Sequence, residues 1–430
     1  MRIGICILAL GCGIAQAGAE VITWEAALEM ALESSEQIEI QRRQVSIAEQ
    51  EVGRAWAIVS PRLTATGRYD RPESEIRRDD DVLVPEDTWR VTLTATQPLF
   101  DGRVLSARRG GLVLEEAEAH TLAHTIRTTL FDVSRSYYAV LRAEQQLTIA
   151  EQTLSLSTQE VSRAKARFEA GEARRTEYLR AEVDAARASR NVVATRNALE
   201  TAKSDLARQL GLDPDSAFSV ARPDATPDPE TEYLSDLVEQ ALINRNDVAA
   251  FRLQLSFTEE ELRFIRRGGW PTLELQYNHH FVDPESPTTR NNTWDIAAVA
   301  RYEFWDGGSR RISRRQQEER VSQAMLRLRD LEKSVQLEVQ RALLELRTIR
   351  EDLQALDKEV RLAEENYRTL SEQARVGLAT SLDVSTALNE LDRVRTERVT
   401  QTFEYELAKQ QLDWVTGLFA ADYIEVMSSW

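Results

Sequence analysis

The chain has 430 residues, enough for two or three ordinary domains, yet only 7% are aromatic while 29% are charged. That balance is thin for a compact core and usual for long helices facing water. The formal net charge of −17 argues against a nucleic-acid partner, because phosphate binding needs a basic face; it reads as solubility of a large exposed surface.

The first residues, MRIGICILALGCGIAQAGAE, combine a positive start at Arg2, an apolar run and a small-x-small site at Ala15-Gln16-Ala17. This is the pattern of a secretory signal peptide over residues 1–17, with Ala19 as second choice for cleavage. Cys6 and Cys12 both lie inside it, so the mature chain is expected to lack cysteine and disulfides. Cys12 as a lipidation site is the weaker reading, since the preceding "ALG" lacks the Leu expected three residues upstream of a lipidated cysteine. Beyond the signal no uninterrupted apolar run reaches about 18 residues, so any membrane span must be β.

Two stretches then follow one order. Residues 18–211 and 233–420 each open with a helical segment (24–58 and 234–266) and turn at a proline into period-two alternation. Each then crosses a polar loop and alternates again before a very long helix-forming run. Between them, residues 212–232 hold four prolines among acidic and small residues; this connector is expected to contain neither helix nor strand. Residues 421–430 form a C-terminal tail.

In PRLTATGRY (61–69), Leu63, Ala65, Gly67 and Tyr69 share one face, and Thr64, Thr66 and Arg68 the other. In PTLELQYNHHF (271–281), Leu273, Leu275 and Tyr277 oppose Thr272, Glu274, Gln276 and Asn278. The partner strands begin at Trp89 and Trp294, where Trp89, Val91, Leu93 and Ala95 are answered by Ile296, Ala298 and Ala300. Two strand pairs and no more are expected. Four strands cannot close a barrel, which needs about eight, and open edges leave backbone groups unpaired. The apolar faces have the length of tilted membrane strands and end in aromatics (Tyr69, Trp89, Tyr277, Trp294), with both tryptophans read as interfacial belt residues. Several chains must therefore pool strands; three chains give about twelve, inside the range of outer-membrane barrels.

After Asp101-Gly102 no proline occurs until Pro214, and after Asp306-Gly307-Gly308 there is none. Each half thus has one helix of about seventy residues, a break at Gly171 or Gly377, and a return helix of about thirty-five. At 1.5 Å per residue the longer one reaches about 100 Å. Val321, Met325, Leu328, Leu331, Val335, Val339, Ala342, Leu346, Ile349, Leu353, Leu356, Val360, Ala363, Tyr367, Leu370 and Ala374 form an apolar seam. Its steps average about 3.5 residues, the heptad spacing of a coiled coil. Ile126, Leu130, Val133, Tyr137, Val140 and Leu147 repeat it less cleanly. Asp101 and Asp306 suit helix N-caps, and Gly102, Gly307 and Gly308 the dihedrals of a sharp strand-to-helix transfer.

At this point TQPLFDGR (96–103) and YEFWDGGSRR (302–311) resemble the strand-to-helix signatures of TolC-like outer membrane efflux proteins, the outer membrane factor family. RFEAGEARRTEYLRAE (167–182) and ARVGLATSLDVSTALNEL (374–391) resemble that family's helix-turn-helix tips. The four motifs stand in the family's order over nearly the whole mature chain. The resemblance implies an α-dominated membrane protein: a homotrimer whose 12-stranded β-barrel, four strands per chain, sits in the outer membrane of a Gram-negative cell. A long coiled-coil α-helical tunnel with two internal repeats continues it across the periplasm. It implies the exit duct of a tripartite efflux pump or type I secretion system, docking a periplasmic adaptor (membrane fusion) protein and an inner-membrane pump of RND, ABC or MFS type. No catalysis and no cofactor are implied. The competing class is a periplasmic coiled-coil adaptor or scaffold without a pore, which should have one hairpin flanked by compact β domains.

By the same resemblance Gly171, Gly377 and Leu378 fall on adaptor-docking tip turns. Asp383 matches the acidic position of the constriction, and Glu177 is its counterpart in the first half. Three Asp383 carboxylates converging on an axis repel one another and attract cations; the plainer reading is that Asp383 caps the return helix beside Ser381. The family's Tyr and Arg latch positions are Ala374 and Ala379 here, and its second gating Asp falls at Thr386, so the latch must differ. Arg174, Arg175 and Arg375 are the candidate substitutes. His120 and His124, with Glu116, have the spacing of metal ligands on one helix face but no fixed third ligand, so a solvated face is the expectation. His279 and His280 must point to opposite sides of a strand.

Overall fold

The structure, a computed structural model, describes residues 20–78, 81–224, 228–229, 233–285 and 290–423. The expected signal peptide with Cys6 and Cys12, and most of the expected tail, lie outside the described residues. In chain order, β1 (Glu20–Ile22) precedes α1 (Trp24–Ser34) and α2 (Glu36–Ala57). Next come β2 (Arg62–Asp70), the short β3 (Ile76–Arg78) and β4 (Asp81–Val84), β5 (Thr88–Phe100), the long α3 (Val104–Glu169) and its return α4 (Arg175–Gln209). After β6 (Phe218–Val220) the order recurs as α5 (Leu234–Asn244), α6 (Asn246–Arg267), β7 (Thr272–Asp283), β8 (Asn292–Arg301), α7 (Ser309–Arg375) and α8 (Ser381–Thr416). The long helices run 66 and 67 residues and the returns 35 and 36, close to the lengths read from the glycine and proline spacing.

Three features depart from the sequence expectations. The opening helical segments are each two helices, because Ser35 and Arg245 adopt extended backbone (ψ 116° and 122°). Polar runs at Ser34-Ser35 and Asn244–Asp247 satisfy the interrupted helix ends: Ser34 Oγ donates to Met30 O at 2.8 Å, and Arg245 grips Asp247 at 2.7 Å. The connector 212–232 does contain a strand, since β6 pairs in parallel with β1 through Glu20↔Phe218 and Ile22↔Val220. Phe218 and Val220 are buried there, in a proline-free interval between Pro214 and Pro223. Finally, the strand count exceeds two pairs, because β1–β6 and the β3–β4 hairpin add to the main sheet.

The chain forms two compact units, each drawing on both halves: Gln37–Thr125 with Val238–Leu337, and Met1–Glu36 with Ile126–Leu237 and Glu338–Trp430. The first, or strand unit, holds the antiparallel sheet β2-β5-β7-β8. Beside it the start of α3 lies between α2 and α6. A Cβ at Gly111 would stand 3.1 Å from the Val52 backbone, and one at Gly110 would touch Glu260 and Phe257. The paired glycines therefore let two helices approach α3 closely.

In the second, or hairpin unit, the Tyr137 hydroxyl is fully buried and within hydrogen-bond distance of the Ile22 (2.9 Å) and Ala221 (2.6 Å) carbonyls, tying α3 to the β1–β6 pair. Trp24 Nε1 donates to Ser134 Oγ at 3.0 Å, and Phe131 packs on Trp414 and Phe419. This wider apolar stripe blurs the heptad spacing of α3. The α7 seam is buried at Val335, Val339, Ala342, Leu346, Ile349, Leu356 and Ala363, whereas Met325 is exposed. The return helix α4 buries Ala181, Ala188, Val192, Leu199 and Leu206 at heptad-like steps.

Candidate functional site

The sheet separates two chemistries by register. Leu63↔Ala95, Ala65↔Leu93, Gly67↔Val91 and Tyr69↔Trp89 join the apolar faces of β2 and β5. Ala95↔Tyr277 and Val91↔Phe281 carry that face onto β7, and Leu275↔Ala298, Tyr277↔Ile296 and His279↔Trp294 carry it onto β8. These side chains have no cover: Leu63 is 84% exposed, Trp294 64% and Ile296 60%. Aromatic side chains pair at two levels of this face, Tyr69 on Trp89 at 4.7 Å and Tyr277 near Trp294 at 6.3 Å. His279 lies on this face, its ring tilted against Phe281 at 4.5 Å, with the Tyr277 hydroxyl 3.0 Å from its Nδ1. His280 lies on the opposite face within a polar chain. Thr92 Oγ1 meets His280 Nδ1 at 3.1 Å, His280 Nε2 and Asn278 Nδ2 reach Asp295 at 3.3 and 3.0 Å, and Thr94 Oγ1 donates to Asn278 at 2.9 Å. Strands β2 and β8 are the sheet's open edges. Among the described residues no helix is long and apolar enough to cross a membrane.

At the strand-to-helix junctions the aspartates act differently from simple N-caps. Helix α3 starts at Val104 and α7 at Ser309, three residues beyond Asp101 and Asp306. Asp101 accepts from the Arg103 amide (2.9 Å) and pairs with its guanidinium (2.7 Å). Asp306 accepts from the Gly308 amide (3.0 Å), and from the Arg310 amide and Nε, both at 2.8 Å. These hydrogen bonds from Arg103 and Arg310 hold both carboxyls below the usual range. Gly307 and Gly308 have the expected left-handed backbone (φ 68° and 87°). Gly102 does not, and its reason is space, because a Cβ there would lie 2.8 Å from the Trp270 ring. Trp270 also stacks on Phe100 at 6.4 Å. Sequence reading missed Trp270, Arg103 and Arg310; the Asp-x-Arg and Asp-x-x-x-Arg spacings were the available signal for the arginines.

At the helical tips, Gly171 and Gly377 take φ of 75° and 77° with nothing near their absent Cβ atoms, so conformation alone requires glycine. Leu378 (79% exposed) and Val376 (71%) project from the second turn. Asp383 sits at N3 of α8 in a capping box: Thr380 Oγ1 accepts from the Asp383 amide (3.3 Å), and Asp383 Oδ2 accepts from the Thr380 amide (2.9 Å) and hydroxyl (2.6 Å). Those Thr380 hydrogen bonds lower its pKa. Arg174 is the N-cap of α4 and makes no side-chain cap bond. Glu177 and Arg375 line one cleft of about 330 Å³ between the hairpin tips, whereas Arg174, Arg175 and Asp383 do not line it. Across this unit the two hairpins are tied by Asp184 to Ser385 (2.5 Å), Arg163 to Ser371 (3.0 Å) and Thr153 to Asp392 (2.5 Å); none of these was singled out from the sequence.

His120 meets Asn246 at 3.2 Å, and His124 faces Asp247. Burial pushes the Asp247 carboxyl up, but the Arg245 hydrogen bonds and charge, with His124, outweigh this and hold it low. Glu116 does not join them in any metal-binding group of three or more His, Cys, Asp or Glu among the described residues.

Comparison with known proteins agrees with this geometry. The family model described as outer membrane efflux protein matches residues 27–212 and again 237–418. The outer membrane efflux protein BepC of Brucella suis biovar 1 (strain 1330) is 23% identical over 411 residues, covering 94% of this chain and 87% of that protein. Two solved structures share the fold. A membrane protein from Pseudomonas aeruginosa has a TM-score of 0.80 at 18% identity, covering 93% of this chain and 91% of its own. The outer membrane protein VceC from Vibrio cholerae has 0.77 at 17%, covering 92% and 96%.

Proposed function

Because the chain belongs to the outer membrane efflux protein family, we propose that it is the exit duct of a tripartite efflux pump or type I secretion system in a Gram-negative outer membrane. Three copies pool their four-stranded sheets into one 12-stranded barrel, and their hairpins form the periplasmic tunnel. A periplasmic adaptor docks on the tip turns around Gly171, Gly377 and Leu378, and an inner-membrane pump supplies energy and cargo. The observation that supports this reading most is the uncovered apolar sheet face, bounded by two open edges, in a chain whose described helices are all too polar to span. A pore-less adaptor would have to cover that face.

The tip is the gate in this reading. Asp383 and Glu177 supply the acidic constriction, with Arg174, Arg175 and Arg375 adjoining it. The Asp184–Ser385 and Arg163–Ser371 bonds serve in place of the latch that Ala374 and Ala379 cannot make. Asp383 thus has two roles in one carboxylate, capping α8 and facing the channel axis. Planar-bilayer recordings test this: the parent forms channels sensitive to cationic blockers, and Asp383→Ala changes both conductance and blocker sensitivity. An unchanged record removes Asp383 from the gate, and the absence of any channel removes the duct.

A further inference from the structure

In the cleft between the hairpin tips the duct reading gives Glu177 and Arg375 a place at the gate and leaves Arg167 without a role. Of its arginines, Arg163 is committed to Glu160 at 2.6 Å and to Ser371. Arg167, from α3, and Arg375, from the end of α7, line the same cleft with no ion-pair or hydrogen-bond partner for either guanidinium among the described residues. In a chain of net charge −17 carboxylates are abundant, and Arg393 alone engages three of them. Among the described residues exposed arginines without a partner occur elsewhere, Arg174 and Arg190 among them, but Arg167 and Arg375 share one recess. The only unpaired acid on the lining is Glu177. Between the charges the wall mixes the hydroxyls of Ser371 and Ser381 with an apolar part, where Ala164 and Val384 are buried and Ala374 is half-buried. At about 330 Å³ the recess falls at the lower end of small-molecule sites.

We propose that this cleft is a binding site for a small amphipathic anion: a carboxylate on a compact one- or two-ring apolar body, its charge held by Arg167 and Arg375. Guanidinium groups match carboxylates in planar hydrogen-bonding geometry, and two of them on one cleft can share a single carboxylate. Glu177 opposes the same charge, so the site discriminates against dianions. A ligand there bridges α3 and α7 and fastens one hairpin to the other; that this restrains conduction rests on the duct reading, but binding does not.

The test is calorimetric titration of the full chain in detergent with 2-naphthoate and with its neutral isostere 2-naphthamide. The naphthoate binds and the amide does not. Arg167→Gln and Arg375→Gln each weaken naphthoate about tenfold, Glu177→Gln tightens it, and Arg190→Gln, an exposed arginine outside the cleft, leaves it unchanged. Equal binding of the amide, or parent-like affinity in both arginine variants, overturns the site. Circular dichroism of each variant checks that the helices are intact. If the same preparation forms channels in bilayers but binds no naphthoate, the cleft assignment fails and the duct stands. Binding without channels sinks the duct and leaves the cleft.

Discussion

The two helical hairpins share a backbone and differ in chemistry. Their long and return helices match in length to one residue, and their tip glycines agree within 2° in φ. Yet the second hairpin is laced across its helices by Arg398–Asp357 (2.6 Å), Arg395–Glu364 (2.6 Å) and Arg393–Glu359 (2.9 Å). The first has the looser Arg196–Glu151 (3.3 Å) and Lys203–Glu144 (3.9 Å). The second tip has a complete capping box and an apolar turn at Val376 and Leu378; the first has an uncapped Arg174 and a polar turn at Glu172. The repeated backbone geometry is thus compatible with two different sets of side-chain ties, the second set closer and more numerous.

The largest expected break in the comparison lies at the feet of the return helices. Helix α4 ends with Arg208 in its last turn, which suits the helix dipole, whereas α8 has no basic residue there and holds a half-buried Asp413. Burial, only partly offset by Lys409, pushes that carboxyl up to about 6 from 3.8. A native pKa above the unfolded one means that the folded state holds the proton longer. Stability therefore falls as pH rises from 3.8 toward 6, and the deficit is complete above that. Asp413→Asn should raise the unfolding free energy at pH above 6, by on the order of 3 kcal/mol, and do little under strongly acidic conditions. An equal gain at every pH refutes the burial argument.

Next in size are the tip glycines. Gly171→Val and Gly377→Val each force a branched side chain into left-handed backbone without any clash, at about 1–2 kcal/mol. Because the backbones match, the two losses should be equal in thermal unfolding; a clear inequality would show that the turns are not equivalent. The smallest effect separates the caps. Thr380→Ala should cost about 1 kcal/mol and Arg174→Ala close to nothing. The Thr380 effect should be present at neutral pH and fade on acidification, as the depressed Asp383 carboxyl takes up its proton.

Much of this was legible in the sequence because it is local. Alternation from Leu63 to Tyr69 and from Trp89 to Ala95 fixes which side chains share a face, and the observed register joins those faces. Gly171 and Gly377 announce the tips because little else tolerates their φ. What was not legible depends on distant partners. Gly102 needs its missing Cβ because of Trp270, which no local spacing reveals. The β6 strand exists inside a proline-rich connector because β1, almost two hundred residues earlier, offers an edge and Tyr137 closes over it. Asp383 was visible as an acid at the tip, but its capping partner Thr380 was overlooked in favour of Ser381.

The central claim is that one chain supplies too few strands to close a pore. Light scattering of the detergent-extracted protein, corrected for bound detergent, tests it most directly. The account predicts a particle of three chains recovered from the outer membrane fraction. A monodisperse single chain that stays in solution without detergent would contradict it.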